Sequence, residues 1–318
     1  MYAGLIYDDS RHYIDHLAPF CALLNWPLIV CEPTVAALAR AYYPDLEVKE
    51  IPLWDLQLPS HIVTCDPLPM FQAAFPTQTC KTLWLPHGNS DKGWKGPFFE
   101  GLGEIAFVYG QKMIDFMRAK NGSPQTLRVG NFRWHYFLKH QAFYQKMTLP
   151  LKKSSKNILY APTWEDSENN GSFWKAFPIL ADHFPKECHL LVKLHPNTLW
   201  TFAAEVEMLI GRYAKGKNIF FLPEIPPIYP ILAQCDAYIG DMSSIGYDFL
   251  TFDRPMYFFN ANQELPLHRC GAAIEPKHFA FSHQDPFSEI RKATYDYTFD
   301  PAPNWNQLKE QIHALCGV

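Results

Sequence analysis

Ser243 and Ser244 follow an apolar run, Ala237-Tyr238-Ile239-Gly240, and precede a segment of helical period, so two hydroxyls stand where a buried strand gives way to a helix. Those hydroxyls and the unpaired amide N–H groups of a helix start favour an anion such as a diphosphate. Asp248 lies four residues after Ser244, on the same helical face, and can accept hydrogen bonds from a ribose. An ordinary helix cap and a solvated aspartate would leave the same residues. The whole block, with Asp253-Arg254-Pro255 and a second apolar run behind it, favours the ligand reading.

Two histidines end apolar runs. Leu83-Trp84-Leu85-Pro86 delivers His87 into the loop Gly88-Asn89-Ser90, with Lys92 and Lys95 close behind, and Leu191-Val192-Lys193-Leu194 delivers His195 to Pro196-Asn197. Loops at the carboxyl ends of strands face the ligand crevice of open α/β sheets. An imidazole there can take a proton near neutral pH, as the activation of an acceptor hydroxyl requires. His195 can polarise a phosphate or stabilise a leaving group. The competing roles are a loop-stabilising bond for His87 and a turn cap for His195; with 13 histidines in the chain, most are structural.

Ile158-Leu159-Tyr160-Ala161-Pro162 places Thr163 and Trp164 at another strand exit, where they can border phosphates or a base, or simply form a turn. Arg133, in Gly130-Asn131-Phe132-Arg133, can neutralise phosphate charge or pair with a carboxylate. There is no Gly-x-Gly-x-x-Gly, Walker loop, serine nucleophile elbow or Asp-x-Asp pair, so neither a cofactor nor a metal site is expected.

These residues need strands that end together. Short apolar runs alternate with helical segments, the pattern of βαβ units stacked into parallel sheets. The first half offers strands at Gly4–Tyr7, Leu28–Cys31, Leu46–Ile51, His61–Thr64, Thr82–Leu85, Ile105–Tyr109 and Leu127–Val129; the second at Ile158–Ala161, Leu190–Leu194, Ile219–Leu222, Ala237–Ile239 and Met256–Phe259. Helices are expected at Thr34–Tyr42, Gln111–Lys120 and Trp305–Leu315. The polar stretch Leu151–Lys156 marks a boundary, giving an acceptor-side domain over 1–150, a nucleotide-donor domain over 151–300, and a terminal helix over 301–318 packed near the hinge. The fold class is α/β.

With 28 basic and 32 acidic side chains the net charge is −4, which offers no field for a phosphate backbone, so nucleic acid is a poor partner. The eight cysteines have no metal-like spacing and read as reduced thiols in a cytoplasmic protein. No signal segment is expected, and the longest apolar stretch, Leu17–Val30, is broken by Pro19, Asn25 and Pro27 and is too short to span a bilayer.

Taken in order, five blocks resemble the CDP-glycerol:poly(glycerophosphate) glycerophosphotransferases, the family that builds wall teichoic acid polymers. They are Pro86-His87-Gly88, Gly130 to Arg133, Leu159 to Trp164, Leu194 to Pro196, and Asp241 to Asp248 with Asp253 and Pro255. The resemblance implies a GT-B architecture of two facing Rossmann-like domains, the donor held mainly by the second. By position, His87 looks like the catalytic histidine and His195 like a second functional one. Ser243 and Ser244 look like diphosphate contacts, and Asp248 like a donor-site acidic residue. Asn89, Phe132 and Gly246-Tyr247 depart from the family pattern, and its tail is not recognisable in Asn260 to Ile274.

The implied reaction moves a glycerophosphate-like group from a CDP-alcohol donor to a hydroxyl acceptor, releasing CMP. A nucleotide-sugar glycosyltransferase or UDP-sugar epimerase of the same fold is the alternative, and a non-catalytic nucleotide-binding protein the third reading. Because the family's acceptors are lipid-linked, peripheral contact with the inner face of the membrane is compatible with it. Trp134–Lys153 mixes aromatics with Lys139, Lys146, Lys152 and Lys153, as either an interfacial or a packed helix would.

Overall fold

Strands covered by helices on both faces lose the alternation of a half-exposed sheet and read as continuous apolar runs. The computed structural model, which describes residues 1–92, 103–120, 124–147, 155–165, 170–214, 216, 218–222, 224–282 and 284–317, builds two parallel sheets from such runs. The chain divides into two compact units. One gathers Met1–Asn89, Gly93–Gln141 and Asp296–Val318, the other Ser90–Lys92 and Ala142–Tyr295. Of the expected linker, Leu151, Lys152, Lys153 and Ser154 lie outside the described residues, as does Lys95.

In the first unit the strands are β1 (Tyr2–Ile6), β2 (Leu28–Val30), β3 (Val48–Glu50), β4 (His61–Thr64), β5 (Lys81–Trp84), β6 (Ile105–Val108) and β7 (Thr126–Arg128), in the order β3-β2-β1-β4-β5-β6-β7. β1 is the pivot: Gly4 pairs with Leu28 on one side, and Tyr2 with His61 on the other. The helix Ile14–Leu24 includes Pro19 and stops at Asn25, whose left-handed backbone (φ 53°) turns its N–H back to Cys21 and Ala22. The apolar stretch that ends at Val30 is therefore a buried helix followed by β2.

The terminal helix Trp305–Cys316 starts at Asn304, whose side chain accepts from the N–H groups of Asn306 and Gln307. It belongs to the first unit, where Lys309 reaches the carbonyl of Leu24 at 3.0 Å and Lys81 that of Cys316 at 3.4 Å. The returning segment crosses Gly130 so closely that a Cβ there would sit 2.4 Å from the Asp300 carbonyl oxygen, and Gly130 has φ +60°. Only glycine satisfies both conditions.

In the second unit β8 (Lys156–Tyr160), β9 (Cys188–Val192), β10 (Ile219–Phe221), β11 (Ala237–Gly240), β12 (Met256–Phe258) and β13 (Ala272–Ala273) run in the order β10-β9-β8-β11-β12-β13. The helix Phe173–His183 buries Phe173, Ala176, Phe177 and Leu180 against Ile158, Tyr160, Leu190, Val192 and Ile239. Each buried Phe or Leu among them contributes about 1.5–3 kcal/mol relative to exposure. All twelve expected strands are present, with ends within two residues of the expected ones, and β13 is an addition. Both orders are Rossmann-type, which makes the protein α/β.

Candidate functional site

In the second sheet the strand order reverses between β8 and β11, so the connections leave on opposite faces and a crevice opens at the strands' carboxyl ends. β8 runs out into Ala161-Pro162-Thr163, and β11 into Asp241-Met242-Ser243-Ser244. The residue that joins the two exits is Asp241, 2% exposed. Its Oδ1 accepts the Thr163 N–H at 2.8 Å, and its Oδ2 accepts both the N–H and the hydroxyl of Ser172, at 2.9 and 2.7 Å. Since the Ser172 proton is committed to Asp241, the Tyr160 hydroxyl must donate to Ser172 Oγ, 2.9 Å away. Burial pushes the Asp241 carboxyl up to about 6, although all three of these bonds favour the charged form. The sequence shows Asp241 only as the first member of a motif; its position directly after a buried strand was the available signal.

Thr163 is itself buried, and its Oγ1 accepts from Lys92 Nζ at 2.6 Å. The same ammonium lies 5.9 Å from the centre of the Trp164 ring, which in turn is 6.3 Å from the His195 ring. His195 caps the helix Pro196–Thr201: its Nδ1 accepts the Asn197 N–H at 3.1 Å. A neutral His195 therefore carries its proton on Nε2, as a donor. The cap and the donor are two nitrogens of one ring, so the structural role and the phosphate role are compatible.

Ser243 is buried and Ser244 half-buried, and their carbonyls accept the N–H groups of Gly246 and Tyr247. The helix they open, Ile245–Phe249, has five residues and runs into a 3₁₀ turn, Leu250–Phe252. An anion here would be held by hydroxyls and individual amides more than by the dipole of a long helix. Asp248 is 2% exposed and accepts from the Tyr229 hydroxyl at 3.4 Å. Gly246 has a steric reason: a Cβ would come within 2.8 Å of the Leu267 side chain. Tyr247 binds Asp91 Oδ1 at 2.5 Å, and the Leu267 N–H reaches Asp91 Oδ2 at 3.3 Å.

In the first unit His87 leaves β5 among aromatic neighbours. The rings of Tyr13, His12 and His16 are centred 5.3, 5.7 and 6.4 Å from its own. The Tyr109 hydroxyl donates to the Pro86 carbonyl at 2.9 Å, so the His16 Nδ1 3.0 Å away must be the donor to that phenol oxygen. Burial lowers the proton affinity of His12, to about 4, and that of His16 well below the ordinary histidine value. Tyr13 donates to Asp66 at 2.9 Å. None of these neighbours was singled out from sequence, because they come from the β1, β4 and β6 exits. Phe132 stacks on Tyr109 at 5.6 Å, which explains an aromatic residue at this position. Arg133 is 5% exposed and pairs with Asp15 at 2.8 Å; Tyr43 donates to the other oxygen of Asp15 at 2.9 Å.

Two Rossmann-type sheets, with hydroxyls and an ammonium gathered at the switch point of the second, define a doubly wound α/β protein whose polar groups stand where such folds hold their ligands. The family model described as CDP-Glycerol:Poly(glycerophosphate) glycerophosphotransferase matches residues 126–300, and the chain belongs to this family. A stretch of 117 residues is 28% identical to the teichoic acid ribitol-phosphate polymerase TarL of Staphylococcus aureus, covering 35% of this chain and 19% of TarL. The match thus spans about a fifth of that relative's length. The wall teichoic acid polymerase TagF shares the fold at TM-score 0.69 and 15% identity, over 99% of this chain and 88% of that one. A UDP-GlcNAc 2-epimerase from Neisseria meningitidis bound to UDP-GlcNAc shares it at TM-score 0.62 and 12% identity, over the full length of both chains.

Proposed function

We propose that this protein is a transferase that moves a glycerophosphate-like group from a CDP-glycerol-like donor to a hydroxyl acceptor and releases CMP. The observation that carries this reading is the family match over residues 126–300, which includes the Thr163, His195 and Ser243-Ser244 strand exits. In it, Thr163, Ser243 and Ser244 bind the donor phosphates, and the Nε2–H of His195 supports the charge that develops there. His87 takes the acceptor proton. The acceptor oxygen attacks the phosphorus of the transferred group and forms the new O–P bond. The bond from that phosphorus to the CMP oxygen breaks, and its electron pair leaves with CMP. Asp248 and Arg133, both engaged by protein partners, serve in this reading by holding the walls of their own units.

The likeness to a UDP-GlcNAc-bound epimerase favours a second reading, a nucleotide-sugar enzyme. Thermal-shift titration separates the two. CDP-glycerol is expected to raise the melting temperature and, with a hydroxyl acceptor, to yield CMP. Stabilisation by UDP-sugars alone would overturn the transferase reading, and nucleotide binding with no turnover would favour a non-catalytic protein.

Among the described residues no helix is long and apolar enough to cross a membrane. For a lipid-linked acceptor we propose peripheral contact at the cytoplasmic face of the membrane, supported by the mixture of aromatic and basic residues in the sequence Trp134–Lys153. Co-sedimentation with vesicles containing anionic lipid is the measurement. Binding is expected to weaken in high salt, and protein left wholly in the supernatant at low salt would remove the proposal.

A further inference from the structure

We propose that Lys92 is a donor-binding residue that supplies the positive charge for the diphosphate, held in place by Asp91 and Tyr247. The inference rests on the second unit's switch point being the donor site. A diphosphate and the phosphate that leaves with CMP are multiply anionic, while Thr163, Ser243, Ser244 and a neutral His195 offer only uncharged donors. The guanidinium of Arg133 is balanced by Asp15 in the first unit. Asp241, buried beneath the β8 and β11 exits, adds negative charge when ionised. A cation is what the electrostatics of this crevice require, and Lys92 brings one to it.

Its position is specified from two sides. Lys92 Nζ is 2.6 Å from Thr163 Oγ1, and Thr163 is fixed in turn by its N–H bond to Asp241. One residue earlier, Asp91 is held by the hydroxyl of buried Tyr247, on the helix opened by Ser243-Ser244, and by the Leu267 N–H. The short segment is thereby tied to the β8 exit through Lys92 and to the β11 exit through Asp91. A lysine normally loses considerable side-chain freedom when it binds an anion, and this one is already ordered over the indole of Trp164. When the bond to CMP breaks, the ammonium stabilises the electron pair left on the CMP phosphate. Tyr247 and Asp91 act through Lys92 and are positioning residues.

The full chain with Lys92→Met, Lys92→Arg and Tyr247→Phe tests this. CDP and cytidine binding are measured by calorimetry, and kcat and KM by CMP release from CDP-glycerol. Lys92→Met is expected to weaken CDP binding about 10- to 100-fold, with cytidine binding and melting temperature little changed, and to lower kcat further. Lys92→Arg is expected to recover part of the CDP affinity, and Tyr247→Phe to raise KM about 3- to 10-fold. CDP binding by Lys92→Met as tight as the parent's overturns the proposal. So does an equal loss of CDP and cytidine binding, which would mark Lys92 as a structural counter-ion of Asp241. A parent chain that neither binds CDP nor releases CMP defeats the donor-site reading itself, a result recognisable before any variant is made.

Discussion

Replacing His87 with alanine is expected to slow CMP release from CDP-glycerol by about 10²- to 10⁴-fold while leaving donor affinity within about threefold of the parent. The donor reading rests on groups of the second unit, so a histidine that serves the acceptor should show itself in kcat. The structure shows how the loop that carries His87 is held. Its loop is clamped at Pro86 by the Tyr109 hydroxyl, Tyr109 is steadied by His16, and Gly88 takes the turn with φ 121°. The neighbouring imidazoles of His12 and His16 stay uncharged at neutral pH because burial disfavours their protonated forms. They therefore do not repel a proton arriving on His87. Single-turnover CMP release, with calorimetric CDP binding alongside, is the measurement. Parent-like turnover would remove His87 from the chemistry and leave a loop-stabilising histidine.

The second large effect is expected from Asp241→Asn, which should destabilise the protein by about 2–4 kcal/mol at pH 7.5. Three donors converge on this carboxylate. An amide of the same shape turns an NH₂ toward one of them and leaves a buried donor without an acceptor. The pH dependence follows from the raised affinity for protons. The Asp241 carboxyl titrates at about 6 folded and near the ordinary 3.8 unfolded, so the folded state binds the proton more tightly. The cost of burying the charge is complete above about pH 6 and is relieved as the pH falls through that value toward 4. The parent's advantage over Asp241→Asn should therefore widen by about 1–2 kcal/mol between pH 7.5 and pH 5. Urea denaturation of both proteins at the two pH values checks it. An advantage that narrows in acid would mean that the three donors keep the carboxylate charged.

Much of the scaffold was legible because parallel strands buried on both faces are conspicuous as apolar runs. β4 was expected at His61–Thr64 and is found there, and β11 differs by one residue. β13 was missed because two residues, Ala272–Ala273, make no apolar run. Its approach depends on Gly271, where a Cβ would meet the Met256 carbonyl oxygen at 2.2 Å. The helix Ile14–Leu24 was obscured by Pro19, which ordinarily opposes a helix interior; burial of residues such as Leu17, Phe20, Cys21 and Leu24 compensates for the lost backbone bond. In the candidate site, Thr163, Ser243, Ser244 and His195 were visible because each follows a strand, and strand ends share an edge of the sheet.

By itself the sequence determined the α/β class, the approximate span of nearly every strand and the strand-end position of each motif, since these follow from short-range periodicity and turn chemistry. Only the tertiary structure decided which charges meet. Asp241 joins Thr163 and Ser172 across 78 and 69 residues, Arg133 finds Asp15 across 118, and Lys92 reaches Thr163 across 71. The physical reason is that a hydrogen bond or ion pair between distant segments leaves no period in the chain. It comes into being when strand order brings two loop ends to the same place, and that order is set by the packing of the whole sheet.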